Sequence, residues 1–399
     1  MNRLLTFLGT SNYQSTIYAL GDQSIEARFC SLALAKLQSF EQIDIFLTPR
    51  VAESTSWQTF QADSTGLATV EAHLIPNGAN EGELWDIFRR ICDVVEQGDV
   101  VTLDLTLGFR SVAIFSSTIA QFLQTARQAT VKGVYYGAFE AKNPDTGHTP
   151  IFEISALQSL IRWSFATEAF ERNRNLSDLA SLLESGHREA YRHPNRNASP
   201  RQMQSAARHL RRIGESWINM RTVEFSKHNE NIDTSLNNDL ADETLTWAAP
   251  FAQIIERVRS SLVSYQGLAL TDLQRKMIFD YADSGNLIQA VSLAREWLIS
   301  RVASEIGCPE IAAPPFPDRK EFETFITSFA VEKTGQPPKT QTFRNHNFSS
   351  MDAIEFDLAL LWNKLSDLRN DLDHCGFRQN PRTIDQILKQ THSILSQLP

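Results

Sequence analysis

The stretch VVTLDLTLGFRS, residues 100–111, runs from a β-rich segment, Val100–Leu105, into a glycine-bearing loop and then into the helical pattern of Arg110–Ala129. Strand, short loop and helix in that order make one βα unit of an open parallel sheet. The flanking sequence repeats the unit. Leu4–Leu8 reads as a strand. Ser15–Leu20 and Gln23–Phe29 flank Gly21-Asp22 as a hairpin inserted after it. A helix over Ser31–Phe40, strands at Ile43–Thr48 and near Ala72–Ile75, a helix over Glu83–Gln97 and a strand at Val131–Phe139 complete the pattern. From about residue 156 the strand signal fades. Helical periodicity then covers 156–173, 176–185, 199–227, 249–264, 270–283, 286–306, 319–332, 351–375 and 383–397, with loops at 229–240, 307–318 and 335–350. The expected architecture is an α/β domain with a mostly parallel, Rossmann-like sheet over 1–155, followed by an all-α region over 156–399.

With 399 residues, 42% of them hydrophobic and 21% charged, the chain has the composition of a globular protein with a sizeable core. No run approaches a membrane span. The first residues, MNRLLTFLGTSNY, read as a strand rather than a signal peptide, so a cytoplasmic protein is expected. Cys30, Cys92, Cys308 and Cys375 lack C-x-x-C spacing and histidine partners, which predicts free thiols and no metal site. A net charge of −9 argues against a surface coated with nucleic acid. One local exception stands out: residues 186–228 hold nine Arg or Lys against three Glu, with His187, His193, His209 and His228 added. That stretch is either a solvated basic helix face or an RNA-facing groove.

Near the C-terminus the string Arg369-Asn370-Asp371-Leu372-Asp373-His374 forms an R-x4-H motif. Upstream, Ile354, Leu358, Leu361, Leu365, Leu368 and Leu372 recur at spacings of three and four, the mark of one buried helical stripe. At about 100° per residue, His374 and Asn370 fall opposite that stripe with Asn363 and Asp367, and Arg369 lies at its edge. Imidazole can move a proton near neutrality, and guanidinium can hold a phosphate. The plain alternative is an ion-paired, solvated face among Asp367, Asp371 and Asp373.

In the first domain, ligands of a doubly wound sheet would bind beyond the carboxyl ends of the strands. Two loops qualify: Gly9-Thr10-Ser11-Asn12-Tyr13 after the first strand, and Thr106 with Gly108-Phe109-Arg110-Ser111 before a helix. Glycines admit a close ligand, hydroxyls and amides read it, and Arg110 offers a cation at a helix N-terminus. Neither G-x-G-x-x-G nor G-x-x-x-x-G-K-[ST] occurs, which disfavours dinucleotide oxidoreductases and P-loop NTPases.

LGTSNY at 8–13, the hairpin after it, NEGELWDIF at 80–88, DLTLGFRS at 104–111, VKGVYYGAFEA at 131–141, LAREWLISR at 293–301 and RNDLDHCGF at 369–377 together resemble the CRISPR-associated CARF–HEPN ribonucleases of type III systems. The resemblance implies an N-terminal CARF domain that binds a cyclic oligoadenylate across a dimer axis, with cyclic tetra-adenylate as the favoured ring. It also implies a C-terminal HEPN RNase built between two copies. Arg369, Asn370 and His374 match the HEPN motif. Residues 9–13 and 106–111 match the ligand loops, except that Leu107 stands where the family often has His. The implied function is a cyclic-oligoadenylate-activated, metal-independent endoribonuclease. It would cut single-stranded RNA to 2′,3′-cyclic phosphate and 5′-hydroxyl ends, as a homodimer or higher oligomer, with no cofactor and no membrane partner. Alternatives are a non-catalytic sensor or regulator acting through a protein partner, and a first domain that also degrades its ring. A regulator would be expected to carry a helix-turn-helix with a basic recognition helix, and none is recognisable.

Overall fold

The computed structural model describes residues 1–108, 110–192, 200–354 and 356–398; the side chains of 110–114, 116, 117 and 157 lie outside that description. Two compact units emerge, Met1–Arg162 and Trp163–Pro399.

The first unit contains β1 (Asn2–Phe7), β2 (Thr16–Leu20), β3 (Gln23–Ala27), α1 (Cys30–Leu37), β4 (Gln42–Leu47), α2 (Pro49–Ala52) and α3 (Thr55–Asp63). It continues with β5 (Thr69–Leu74), α4 (Glu81–Val94), β6 (Val100–Asp104), α5 (Arg110–Ala126), β7 (Thr130–Gly137) and β8 (His148–Glu153). The strands form one mixed sheet in the order β3-β2-β8-β7-β6-β1-β4-β5. Its centre is parallel: β1 pairs with β4 and β6, β4 with β5, and β6 with β7. Strand β8 runs antiparallel to β7 and parallel to β2, so it ties the β2–β3 hairpin to the main sheet.

Alternation along β1 explains the layers. Leu4 and Leu8 face α1 and α3, packing with Leu34 and Phe60, while Leu5 and Phe7 face α4 and α5, packing with Ile87, Ile91 and Leu123. Helix α3 and strand β8 were not expected from sequence. Helix α3 buries little beyond Phe60, and Pro150 interrupts the strand signal of β8, whose Thr149 and Ile151 are nonetheless buried.

The second unit is helical apart from a two-strand ladder. Helix α6 (Ala156–Asn173) enters it, followed by α7 (Ser177–Arg192), α8 (Met203–Ile218), α9 (Thr222–Asn229), α10 (Ile232–Ser235), α11 (Asn238–Trp247) and α12 (Ala249–Val263). Then come α13 (Leu270–Asp283), α14 (Leu287–Glu305), α15 (Arg319–Glu332), β9 (Thr342–Phe343), β10 (His346–Asn347), α16 (Phe348–Asp352), α17 (Leu358–Asp373) and α18 (Ile384–Leu395). The expected α14 stripe of Leu287, Val291, Ala294, Leu298 and Val302 is buried, but so are Leu293, Trp297 and Ile299, because this helix runs through the middle of the core.

Two long helices expected from sequence are broken. The 199–227 pattern splits into α8 and α9: Met220 adopts a left-handed φ of 54°, and the Tyr281 hydroxyl donates to the Trp217 carbonyl. The 351–375 pattern splits because the Asp357 carboxylate accepts from Leu360 N at 2.9 Å and caps a fresh helix at Leu358. Ile354 still packs against the core, from outside α17. The segments expected as loops at 229–240 and 335–350 hold α10, the start of α11, β9, β10 and most of α16.

All four cysteines are free; Cys30, Cys92 and Cys308 are buried and Cys375 is exposed. No helix among the described residues is long and apolar enough to cross a membrane.

Candidate functional site

Helix α17 forms because Leu358, Leu361, Leu365 and Leu368 recur on one face and sink into the core, with Trp362 buried beside them under the Arg295 guanidinium 4.5 Å from its ring. It ends at His374, whose N–H donates to the Asn370 carbonyl at 3.1 Å. Cys375 and Gly376 then turn left-handed at φ 52° and 77°, and Phe377 N closes the turn on the His374 carbonyl at 2.8 Å.

This places the three motif residues at one helix end. Asn370 and His374 are exposed, one turn apart, and Arg369 is half-buried next to them. The side chains of Asn370 and His374 make no hydrogen bond among the described residues, so both are available to a ligand. Arg369 is engaged: its Nε lies 3.0 Å from Asp373 Oδ2.

Sequence reading missed a further layer of charge here. Arg378 Nη1 reaches Asp367 Oδ1 at 2.9 Å, and Arg382 pairs with the other Asp367 oxygen. The Arg382 and Arg378 guanidiniums, against a desolvation that opposes them, hold the Asp367 carboxyl below its ordinary range. Asp371, only 2% exposed, accepts from Arg382 N at 3.1 Å. Its Oδ1 makes no hydrogen bond and faces Arg378 Nη1 at 3.9 Å. The network folds the segment after Gly376 back along α17 and so fixes the surroundings of His374. Its only sequence signal was the matched four-residue spacing of Asp367/Asp371 and Arg378/Arg382. A 410 Å3 cavity lined by Asn363, Lys364, Asp367, Arg382 and Gln390 adjoins it.

In the first unit the two expected ligand loops meet. Strand β1 lies between β6 and β4, and the chain winds outward from it in both directions, so the loops after β1 and β6 leave the sheet at its topological switch point. A Cβ on Gly9 would stand 2.8 Å from the Tyr13 hydroxyl and 3.4 Å from the Leu107 carbonyl, so a larger residue here would have to push the Tyr13 hydroxyl aside. Gly9 N donates to Tyr13 Oη at 3.1 Å, and Tyr13 packs toward Phe29 with ring centroids 5.4 Å apart. Ser56 of α3 donates to the Ser11 carbonyl at 2.9 Å. Thr10, Ser11 and Asn12 remain exposed.

Thr106 is differently placed. Its hydroxyl donates to Asp104 and accepts from Gly137 N at 2.8 Å, which ties the loop to β7 rather than offering that group to a ligand. Asp104 is fully buried, also accepts from Thr6 at 2.9 Å, and has its carboxyl pushed up by burial. Burial likewise pushes the neighbouring Cys30 thiol well up. Gly108 packs on Phe7. Phe109 lies outside the described residues; Arg110 and Ser111 open α5, but their side chains also lie outside the description.

The parallel register of β4 and β5 assembles a group that the sequence did not suggest: Asp44, Glu71 and His73, whose ligand atoms all lie within 4.8 Å of one another. The Asp44 carboxylate is already satisfied by Arg3 at 3.2 Å, Gln42 at 2.6 Å and His73 at 2.9 Å. A cation there would have to displace Arg3 and Gln42, so these residues fit a charge-paired strand edge better than a metal site.

No family model matches the chain. A CRISPR-associated protein of Methanocaldococcus jannaschii is 28% identical over 119 residues, covering 29% of this chain and 19% of the relative. The match therefore spans about a fifth of that relative's length.

Proposed function

We propose that this chain is a CRISPR-associated endoribonuclease switched on by a cyclic oligoadenylate. The observation that carries the reading is the pair of exposed, uncommitted side chains of Asn370 and His374 beside Arg369 at the end of α17. RNA brings its own nucleophile, the 2′-hydroxyl. A site need only orient the phosphate for in-line attack, stabilise the added negative charge and move protons. Arg369 would bind the phosphate and stabilise the charge once it leaves Asp373. His374 would transfer the proton, and Asn370 would orient the imidazole or the phosphate. Products would be a 2′,3′-cyclic phosphate and a 5′-hydroxyl, with no metal required.

One copy of this face supplies few groups, and a two-fold copy doubles them. The exposed apolar side chains that follow the motif support such a homodimer: Phe377 at 93%, Ile384 at 63% and Leu388 at 37% exposure. In the first unit, the joined loops with exposed Thr10, Ser11 and Asn12 suit a ring of adenylates, with cyclic tetra-adenylate as the proposed activator. The similarity to a CRISPR-associated protein agrees with this assignment without reaching the activity itself.

The test is incubation of the purified chain with labelled single-stranded RNA, with and without each cyclic oligoadenylate. Ring-dependent cleavage with cyclic-phosphate ends is expected. Intact RNA under every ring would favour a non-catalytic sensor acting through a protein partner. Loss of the ring during incubation would add a self-limiting hydrolysis in the first unit.

A further inference from the structure

Part of the basic stretch noted in the sequence lies along the seam between α7 and α8; His193 and Arg196 lie outside the described residues, and Lys227 belongs to α9. Helix α7 buries Leu179, Leu182, Leu183 and Gly186, and α8 buries Met203, Ala207, Leu210 and Trp217, so the two pack with their polar faces outward. Their antiparallel register follows from two contacts: Arg211 Nη2 meets Glu184 Oε2 at 3.0 Å, and Gly186 sits against Met203. One turn beyond the Arg211–Glu184 pair, Arg188 of α7 and Arg208 of α8 therefore flank the same seam.

Five arginines mark this surface, and all five are exposed: Arg188, Arg192, Arg201, Arg208 and Arg212. Among the described residues none of the five guanidiniums is ion-paired, although the Arg201 backbone N donates to the Glu243 carboxylate at 2.6 Å, whereas Arg211, which lies over the seam itself, is paired. Arg208 and Arg212 stand about 6 Å apart along the helix axis, a spacing close to that of successive phosphates on an extended strand. Tyr191 lies in the same row, 53% exposed, with its ring 4.7 Å from that of His187. The exposed Glu189 and Glu215 lie at the flanks. On a chain of net charge −9, unpaired arginines interleaved with an exposed aromatic are what a single strand needs: cations for the backbone and a ring face for a base.

We propose that the α7–α8 seam is a binding track for single-stranded RNA, with Arg188, Arg192, Arg201, Arg208 and Arg212 on phosphates and Tyr191 stacked on a base. The proposal rests on the ribonuclease reading for the identity of its ligand. It extends that reading to a surface apart from the motif residues, one that holds substrate without reading its sequence.

The experiment uses full-length His374→Ala protein and a labelled, unstructured RNA, with binding followed by fluorescence anisotropy across a salt series. Replacing Arg208 and Arg212 by Gln should flatten the log K against log salt slope by roughly 0.7 for each phosphate no longer held. Tyr191→Ala should weaken binding about 5- to 150-fold, Tyr191→Phe should restore it, and Tyr191→Leu should not. Lys320→Gln, an exposed cation elsewhere on the unit, should leave the slope unchanged. Thermal melts confirm that each variant folds. An unchanged slope in the double variant overturns the track. So does an equal effect of Lys320→Gln, which would mean net charge alone, or indifference to Tyr191, which would mean that no base stacks on this surface. Because binding is read apart from cleavage, a protein that binds through this seam and cuts nothing refutes the catalytic reading and leaves the track standing. A protein that cuts RNA while its seam variants bind as tightly as the wild type does the reverse.

Discussion

Asp373→Asn separates the role of Arg369 from that of its partner. In the structure Arg369 Nε and Asp373 Oδ2 are 3.0 Å apart, with side chains 40% and 36% exposed. An exposed i,i+4 pair of this kind contributes about 0.3–0.5 kcal/mol. Its loss should therefore lower stability by no more than about that amount, a change barely resolved in a denaturant melt. The same figure is the cost of freeing Arg369 for a phosphate, so the variant should bind substrate up to about twofold more tightly. If Asp373 only restrains Arg369, cleavage by Asp373→Asn should equal or slightly exceed that of the wild type, most visibly as a lower KM. The assay is a time course on labelled RNA at saturating activator, with a urea melt in parallel. A variant that folds normally but has lost cleavage as completely as His374→Ala would refute the reasoning. It would make Asp373 a participant in the chemistry, either a base or part of a metal-binding group.

His374→Ala and Arg369→Ala should each reduce cleavage by at least about 100-fold, the scale of lost proton transfer or charge stabilisation, while melting and activator binding stay unchanged because neither side chain is core. Wild-type rates in both would end the assignment. Cleavage should persist in excess EDTA; activity lost in chelator and restored by magnesium or manganese would point to a metal nuclease. A ring with an even number of adenylates should activate better than linear or odd-numbered ones, since a two-fold axis presents the same loop to each half. Asn12→Ala should raise the activator concentration needed more than it lowers the maximal rate, and an unchanged half-maximal concentration would count against the sensor loops. Asp104 bears on pH. Burial raises its carboxyl above the ordinary range, so its stabilising contribution is complete below the unfolded value of about 4 and is lost as pH rises through the raised folded value. Asp104→Asn should accordingly show a flatter stability curve above about pH 4 in thermal melts, and parallel curves would count against that role.

The sequence by itself determined those parts of the protein whose signal is periodic and local. Strands β1, β4, β6 and β7 were legible because a strand buried on both faces is a short apolar run, and α14 and α17 because their core residues recur at three and four. The outward face of Asn370 and His374 followed from the same periodicity. Tertiary structure decided what depends on distant partners. Strand β8 exists by pairing with β2 and β7 rather than by its own pattern. The α8–α9 break is made with a tyrosine 64 residues away. The engagement of Arg369 by Asp373, the Asp367–Arg382 network and the diversion of the Thr106 hydroxyl to Asp104 and Gly137 are matters of side-chain geometry, which spacing in a sequence does not encode. The meeting of the two loops expected to hold a ligand came only with strand order, because only the sheet brings the ends of β1 and β6, about a hundred residues apart in the chain, side by side.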